Sequence, residues 1–236
     1  MNNTPQQKRL HLGCGLNTPK DWINLDGSWN AWIAKHSFLR YLLKISHIVP
    51  PAQLDIPWSP TILVHDVRKG LPFEDNSLDA IYASHFLEHL YFVEAQRLLK
   101  ECYRVLRPGG VMRMVVPDLR AIIQEYIEQQ TARRVNDTQS SPADRFNQRL
   151  LLRSAEPPSG NILYRVYTSL KDFHSHKWMY DADSLVRQFQ LAGFSNAREE
   201  LYQQSRIEGI AEIETADRVL NGAGVCVEGT KPDNVR

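Results

Sequence analysis

The 236-residue chain predicts an α/β fold in which a doubly wound, mostly parallel sheet lies between two layers of helices. Three observations predict it. Short apolar runs alternate with helical stretches, as they do where parallel strands are joined by crossovers. The first run, Leu10-His11-Leu12, breaks into Gly13-Cys14-Gly15, and the second, Trp22 to Leu25, ends on Asp26. Hydrophobic residues make up 42%, enough for a core and too many for disorder.

Strands are predicted near 8–12, 22–26, 61–66, 79–84 and 110–116. The fourth, Asp79 to Ser84, is short and apolar, as a buried central strand should be. Only nine residues, Gly13 to Asp21, separate the first two strands. A parallel crossover normally needs about a dozen or more, so the first helix is a single turn or absent. Between Asp26 and the third strand, Trp29 to Ile45 is amphipathic, with Trp29, Trp32, Ile33, Leu39, Leu42 and Leu43 on its apolar side. That stripe reads either as packing under the sheet or as a lid. A helix over 92–107 buries Phe92, Ala95, Leu98, Leu99, Cys102, Val105 and Leu106 on one face, and Pro108-Gly109-Gly110 stops it. Residues 131–170 read as an insertion, a turn-rich loop followed by a helix over 143–153. A further helix over 181–192 has an acidic cap in front and Gly193 behind. The last strands, near 196–202 and 224–230, pair as a hairpin. The chain thus reads as one domain, 1–236, with an insertion at about 131–170.

Lys and Arg total 28 against 27 acids, a net charge of +1. No basic stripe is clustered, which excludes nucleic acid as the expected partner. Met1 to Lys8 is polar and lacks the apolar core of a signal peptide, and no stretch approaches a membrane span. The three cysteines, Cys14, Cys102 and Cys226, are scattered and odd in number, which suits reduced thiols in the cytoplasm.

A strand that breaks into Gly-x-Gly lets the backbone approach a ligand closely. An acid at the tip of the next strand can accept from both ribose hydroxyls. Cys14 between the glycines could also be read as a nucleophile. The third glycine of a dinucleotide site is replaced by Thr18, with Pro19 after it, and no Lys-Ser or Lys-Thr follows to make a P-loop. The pocket therefore suits a nucleoside without a pyrophosphate, of which S-adenosylmethionine is the commonest.

Here the chain resembles the class I S-adenosylmethionine-dependent methyltransferases, in particular the small-molecule group often called type 11. The resemblance rests on LHLGCG ending at Gly15, WINLD ending at Asp26, the segment from His65 to Leu90 with LPF, SLDAIYAS and LEHL, and RVLRPGGVMRMVVPD from Arg104 to Asp118. It implies a Rossmann-like, three-layer α/β/α fold with an antiparallel C-terminal strand. It also implies S-adenosylmethionine as cofactor and a small-molecule acceptor, a sugar or glycan precursor among the candidates. Gly13, Cys14 and Gly15 would lie along the methionine portion, Asp26 on the ribose, Asp66 and Val67 at the adenine, and Ser84 and His85 on the other side. Asp26 before Gly27 also reads as a turn former, and Asp66 as a helix or turn cap.

Methyl transfer is a displacement at a sulfonium methyl, so the protein supplies alignment and, for a hydroxyl acceptor, a base. Candidates are His85, Glu88 and His89 after the fourth strand, and His174 and His176 before Lys177-Trp178. His176 is the first choice, with His174 and His89 behind it, if the 174–178 loop closes over the cofactor. The competing reading is a loop-stabilising hydrogen bond. A metal at His85, Glu88 and His89 is chemically sensible. It is not expected, because the acidic, acidic, histidine pattern of metal-using ubiquinone-pathway O-methyltransferases is broken at His85. Two rivals remain: a nicotinamide-dependent Rossmann oxidoreductase, which Thr18 disfavours, and a non-catalytic binding subunit, which the intact glycines and acids disfavour.

Overall fold

The computed structural model describes residues 7–46, 54–132, 141–151, 175–220 and 224–233. Seven strands form one sheet: β1 (Arg9–Leu12), β2 (Trp22–Asp26), β3 (Leu63–Val64), β4 (Leu78–Ser84), β5 (Leu106–Val116), β6 (Ser195–Glu200) and β7 (Val225–Thr230). Their order is β3-β2-β1-β4-β5-β7-β6. Neighbours from β3 to β5 run parallel, while β7 is antiparallel to both β5 and β6. This is the doubly wound sheet and C-terminal hairpin that the sequence predicts.

Alternation along the central strands divides the core in two. Leu10, Leu12, Ile81, Ala83, Met112 and Met114 face one layer, made of α3 (Phe92–Val105) and α6 (Ala182–Ala192). Trp22, Tyr82, Val111 and Val115 face the other, where Ile207, Ile210 and Ile213 cover them. That second cover is thin: a 3-10 turn, Ile210–Glu212, and the short helix α7 (Ala216–Val219). No helix stands between β1 and β2, since nine residues cannot hold one and still cross over. Arg113, fully buried in β5, fastens this cover through Glu214 (Nε to Oε2 2.6 Å, Nη2 to Oε1 2.8 Å) and the carbonyls of Leu201 and Gln204.

The predicted α6 is present as read. The Asp181 carboxylate accepts from Ser184 N at 2.8 Å, Gly193 takes φ +106°, and Phe194 N returns to Phe189 O. Helix α3 ends at Val105, not Arg107. Leu106 is already extended and pairs with Leu78, so Pro108-Gly109-Gly110 lies inside β5, where the register shifts. The third strand keeps only Leu63 and Val64, because Asp66 starts a 3-10 turn at Val67–Lys69.

The amphipathic segment forms two helices, α1 (Trp29–Ala34) and α2 (Ser37–Ser46). Ala31 and Ile33 are buried, and Leu39 and Leu43 pack on Ile33 and Leu54, while Trp29, Trp32 and Leu42 stay partly exposed. Sequence reading did not anticipate α4 (Leu119–Ala132). It pairs with α5 (Pro142–Leu150) through Tyr126 on Phe146 and Arg145 on Gln129. The helix expected over 143–153 stops at Leu150, because Leu151 adopts φ +48°. Most of 131–170, together with His174, lies outside the described residues.

Candidate active site

The first half of the site sits where the strand order reverses, between β1 and β4, at the carboxyl ends of the parallel strands. After Leu12 the chain turns through Gly13 (φ +62°) and Gly15 (φ +54°), with Asn17 N on Cys14 O at 3.0 Å. Both backbones lie in the left-handed region that favours glycine. The two glycines differ in why they are needed. A Cβ on Gly13 would fall 2.3 Å from the Phe86 ring, whereas one on Gly15 would meet nothing within 4 Å. Gly13 is a packing requirement, and Gly15 borders open space.

Asp26 ends β2, buried, and ties the turn together. Its Oδ2 accepts from Gly15 N at 2.9 Å, and its Oδ1 from Ser28 N at 2.8 Å. Each oxygen keeps a second acceptor position. Gly27 lets β2 approach the neighbouring chain, since a Cβ there would lie 2.6 Å from His65 O. Asp66 caps its 3-10 turn and takes Arg68 Nε at 2.8 Å and Nη2 at 2.9 Å, which holds its carboxyl below the usual range. Val67 is buried in the core beside it. Cys14 is buried, and desolvation pushes its thiol up to about 12, so it stays protonated.

The second half follows β4. Ser84 ends that strand, and His85 turns away at φ +50°. His85 does not lie free toward the glycine turn. Its Nε2 is 2.9 Å from Arg218 O and its Nδ1 is 3.6 Å from Glu88 Oε1. Glu88 is 0% exposed, and neither carboxylate oxygen has a regular hydrogen-bond partner. Desolvation pushes its carboxyl up to about 8. The loop from Ser175 reaches it from far along the chain. The Glu88 backbone carbonyl accepts from Lys177 N at 2.7 Å and Trp178 N at 3.3 Å, and Trp178 stacks on Phe92. This places His176 Nε2 and His89 Nε2 each 4.0 Å from Glu88 Oε1, with the two imidazoles 5.1 Å apart. Burial lowers the His85 and His176 pKa values, so both imidazoles are neutral at pH 7.

Comparison with known proteins bears on this arrangement. Residues 38–114, from α2 into β5, match the family described as methyltransferase domain. A Mycolicibacterium smegmatis protein named a probable S-adenosylmethionine-dependent methyltransferase is 39% identical over 57 residues, 22% of this chain and 21% of that one. The chain therefore spans about a fifth of the curated relative it matches. The family match covers about a third of the chain, and the matched segment resembles a class I methyltransferase domain. Solved structures similar to this domain include S-adenosylmethionine-dependent methyltransferases from Methanosarcina mazei and Thermotoga maritima. The first has TM-score 0.48 at 16% identity, covering 99% of this chain and 96% of that one. The second has 0.45 at 18%, covering 96% and 83%.

S-adenosylmethionine is the cofactor of such a domain, and the turn fits it. The space before Gly15 admits a ligand that a side chain would fill, and the Asp26 carboxylate stands beside it with acceptor positions to spare. Residues from far along the chain frame the turn, and sequence reading did not single them out. Asn17 Nδ2 donates to Ile213 O, and Arg218 O receives His85. Asn17 sits in the turn, but nothing in its spacing names Ile213 as partner. No helix among the described residues is long and apolar enough to cross a membrane.

Proposed function

We propose that the protein transfers the methyl group of S-adenosylmethionine to a hydroxyl of a small molecule, leaving S-adenosylhomocysteine and the methylated acceptor. The observation that carries this reading is the pairing of two features at one sheet edge. One is the Gly15–Asp26 turn, open to a nucleoside. The other is a buried, polar histidine–glutamate cluster, joined to it by the Phe86–Gly13 contact.

The roles follow from that placement. Gly13, Cys14 and Gly15 run along the methionine portion, Asp26 holds the ribose hydroxyls, Asp66 and Val67 border the adenine, and Ser84 closes the opposite wall. Removal of the hydroxyl proton falls to the cluster of His85, Glu88, His89 and His176 acting together. His176 remains its loop-borne member, but its Nε2 faces Glu88, so it does not act as an isolated base. The acceptor is a sugar or related polyol in this reading, a class suggested by the family resemblance.

Calorimetry with S-adenosylhomocysteine and with NAD tests the cofactor half. Micromolar binding of the first and none of the second is expected, and the reverse would identify an oxidoreductase. Mass spectrometry of sugar, phenol and carboxylate acceptors after incubation with S-adenosylmethionine tests the other half. Addition of one methyl to a hydroxyl compound is expected, and gain only on carboxylates or amines would refute the hydroxyl assignment.

A further inference from the structure

The cluster around Glu88 has a geometry that protein packing does not account for. Three imidazole nitrogens face one carboxylate oxygen: His85 Nδ1 at 3.6 Å, His89 Nε2 at 4.0 Å and His176 Nε2 at 4.0 Å. In two of the rings the other nitrogen points at a backbone carbonyl. His85 Nε2 lies 2.9 Å from Arg218 O, and His89 Nδ1 lies 3.3 Å from Ser175 O. A carbonyl can only accept, so those outer nitrogens carry the hydrogen and the inner ones present lone pairs.

Both Glu88 oxygens are buried without a hydrogen-bond partner while these nitrogens face one of them, a cost that a bridging cation would relieve. All three separations exceed the reach of a hydrogen bond, about 3.5 Å. For a cation with ligand distances of about 2.0–2.2 Å, tetrahedral geometry puts the donors about 3.3–3.6 Å apart. The two 4.0 Å separations reach that by closing about 0.4–0.7 Å, and donors up to 4.8 Å apart by at most about 1.5 Å. The donor atoms of Glu88, His89 and His176 all lie within 4.8 Å of one another. Glu88, buried with both oxygens unpartnered, is aimed into their midst.

We propose that Glu88, His89 and His176 bind one divalent transition-metal cation of the zinc class, with His85 Nδ1 as a fourth donor. The donor set of two or three imidazoles and one carboxylate suits zinc and its neighbours, not magnesium or calcium. The carbonyls of Arg218 and Ser175 are the outer partners that orient such ligands. The double hydrogen bond from Lys177 N and Trp178 N to Glu88 O holds the His176 loop in register with the metal-binding turn. What the cation does rests on the proposed methyl transfer. A hydroxyl bound as a further ligand loses its proton to solvent more easily, and no single histidine then has to act as base. That the cation binds does not rest on it.

The test is cobalt titration of the full chain after chelator treatment, followed by visible absorption and metal analysis. One equivalent of Co2+ with intense d–d bands, displaced by Zn2+, is expected. Glu88→Gln and His176→Ala should each weaken Co2+ binding by at least the ~10–100-fold that loss of an outer partner alone produces. His89→Ala stands in if Glu88→Gln fails to fold, with thermal melting as the check. Wild-type protein that retains no Co2+ overturns the proposal, as does an unchanged spectrum in every folded variant. S-adenosylhomocysteine calorimetry on the metal-free protein keeps the two readings apart. Cofactor binding without cobalt binding refutes the cation alone, and cobalt binding without cofactor binding refutes the methyltransferase reading alone.

Discussion

Replacing Asp26 with alanine strikes the cofactor half of the site at one atom group. In the structure its two oxygens hold Gly15 N at 2.9 Å and Ser28 N at 2.8 Å. Each is a hydrogen bond to a charged acceptor, of the kind that contributes about 1.5–3 kcal/mol. Both donors are only part-buried, so water can replace some of the loss, and Asp26→Ala should destabilise the fold by about 2–4 kcal/mol. Binding suffers separately, because the same oxygens are assigned the ribose hydroxyls. Loss of two such bonds costs about 2–4 kcal/mol, or roughly 30- to 700-fold in affinity. Calorimetry with S-adenosylhomocysteine measures the second effect and thermal melting the first. Ser28→Ala is the control: it removes the 3.3 Å cap on Ala31 N, leaves both Asp26 bonds, and should keep cofactor affinity while losing about 0.5–2 kcal/mol. A folded Asp26→Ala protein that binds within twofold of wild type would show that the ribose lies elsewhere.

The two glycines should separate stability from binding. Gly15→Ala meets open space and should lower stability by only about 1–2 kcal/mol of left-handed strain. It should nevertheless abolish cofactor binding, whereas Gly13→Ala collides with Phe86 and should lower the melting temperature far more. Burial holds His11 down to about 4. Below the ordinary value of 6.5 the unfolded chain therefore takes up a proton that the folded chain refuses, and stability falls as pH drops from about 6.5 to 4, by up to about 3 kcal/mol. Denaturant titrations of His11→Gln over that range should show a flatter acid slope, and an unchanged slope would place the titration elsewhere. Glu214→Gln leaves the buried Arg113 guanidinium only the more distant Glu228 carboxylate, 3.7 Å away, and should cost up to about 3–5 kcal/mol by denaturant unfolding. Cys14 and Cys226, both pushed up to about 12, should resist alkylation at pH 8 in the folded protein and react on unfolding.

What the sequence disclosed was local. Strand ends at Leu12 and Asp26 could be read because apolar runs stop on residues with a single backbone or charge signature. Asp181 and Gly193 marked α6 by cap chemistry, and nine residues between β1 and β2 limited any helix there to a single turn by length alone. Helix α4 escaped notice because its apolar side is divided: Ile122 is buried, while Ile123 and Ile127 are exposed. The β5 boundary moved because cross-strand pairing of Leu106 with Leu78 outweighed the expectation that proline and glycine open a turn. In the site, His85, Glu88 and His89 were visible as a group, yet their meaning was not. His176 joins them from a distant loop, and the carbonyls that orient the rings carry no side-chain signal.

The missing helix after the glycine turn also has an electrostatic consequence. A helix starting there would turn its positive end toward the ligand, and that end is what attracts a diphosphate. Here the turn instead ends in an ordinary loop, Asn17 is tied sideways to Ile213, and the one charge nearest Gly15 is the carboxylate of Asp26. Without that positive end the turn offers a diphosphate less than a helix-backed glycine loop does, and what it presents instead is the Asp26 carboxylate with its free acceptor positions.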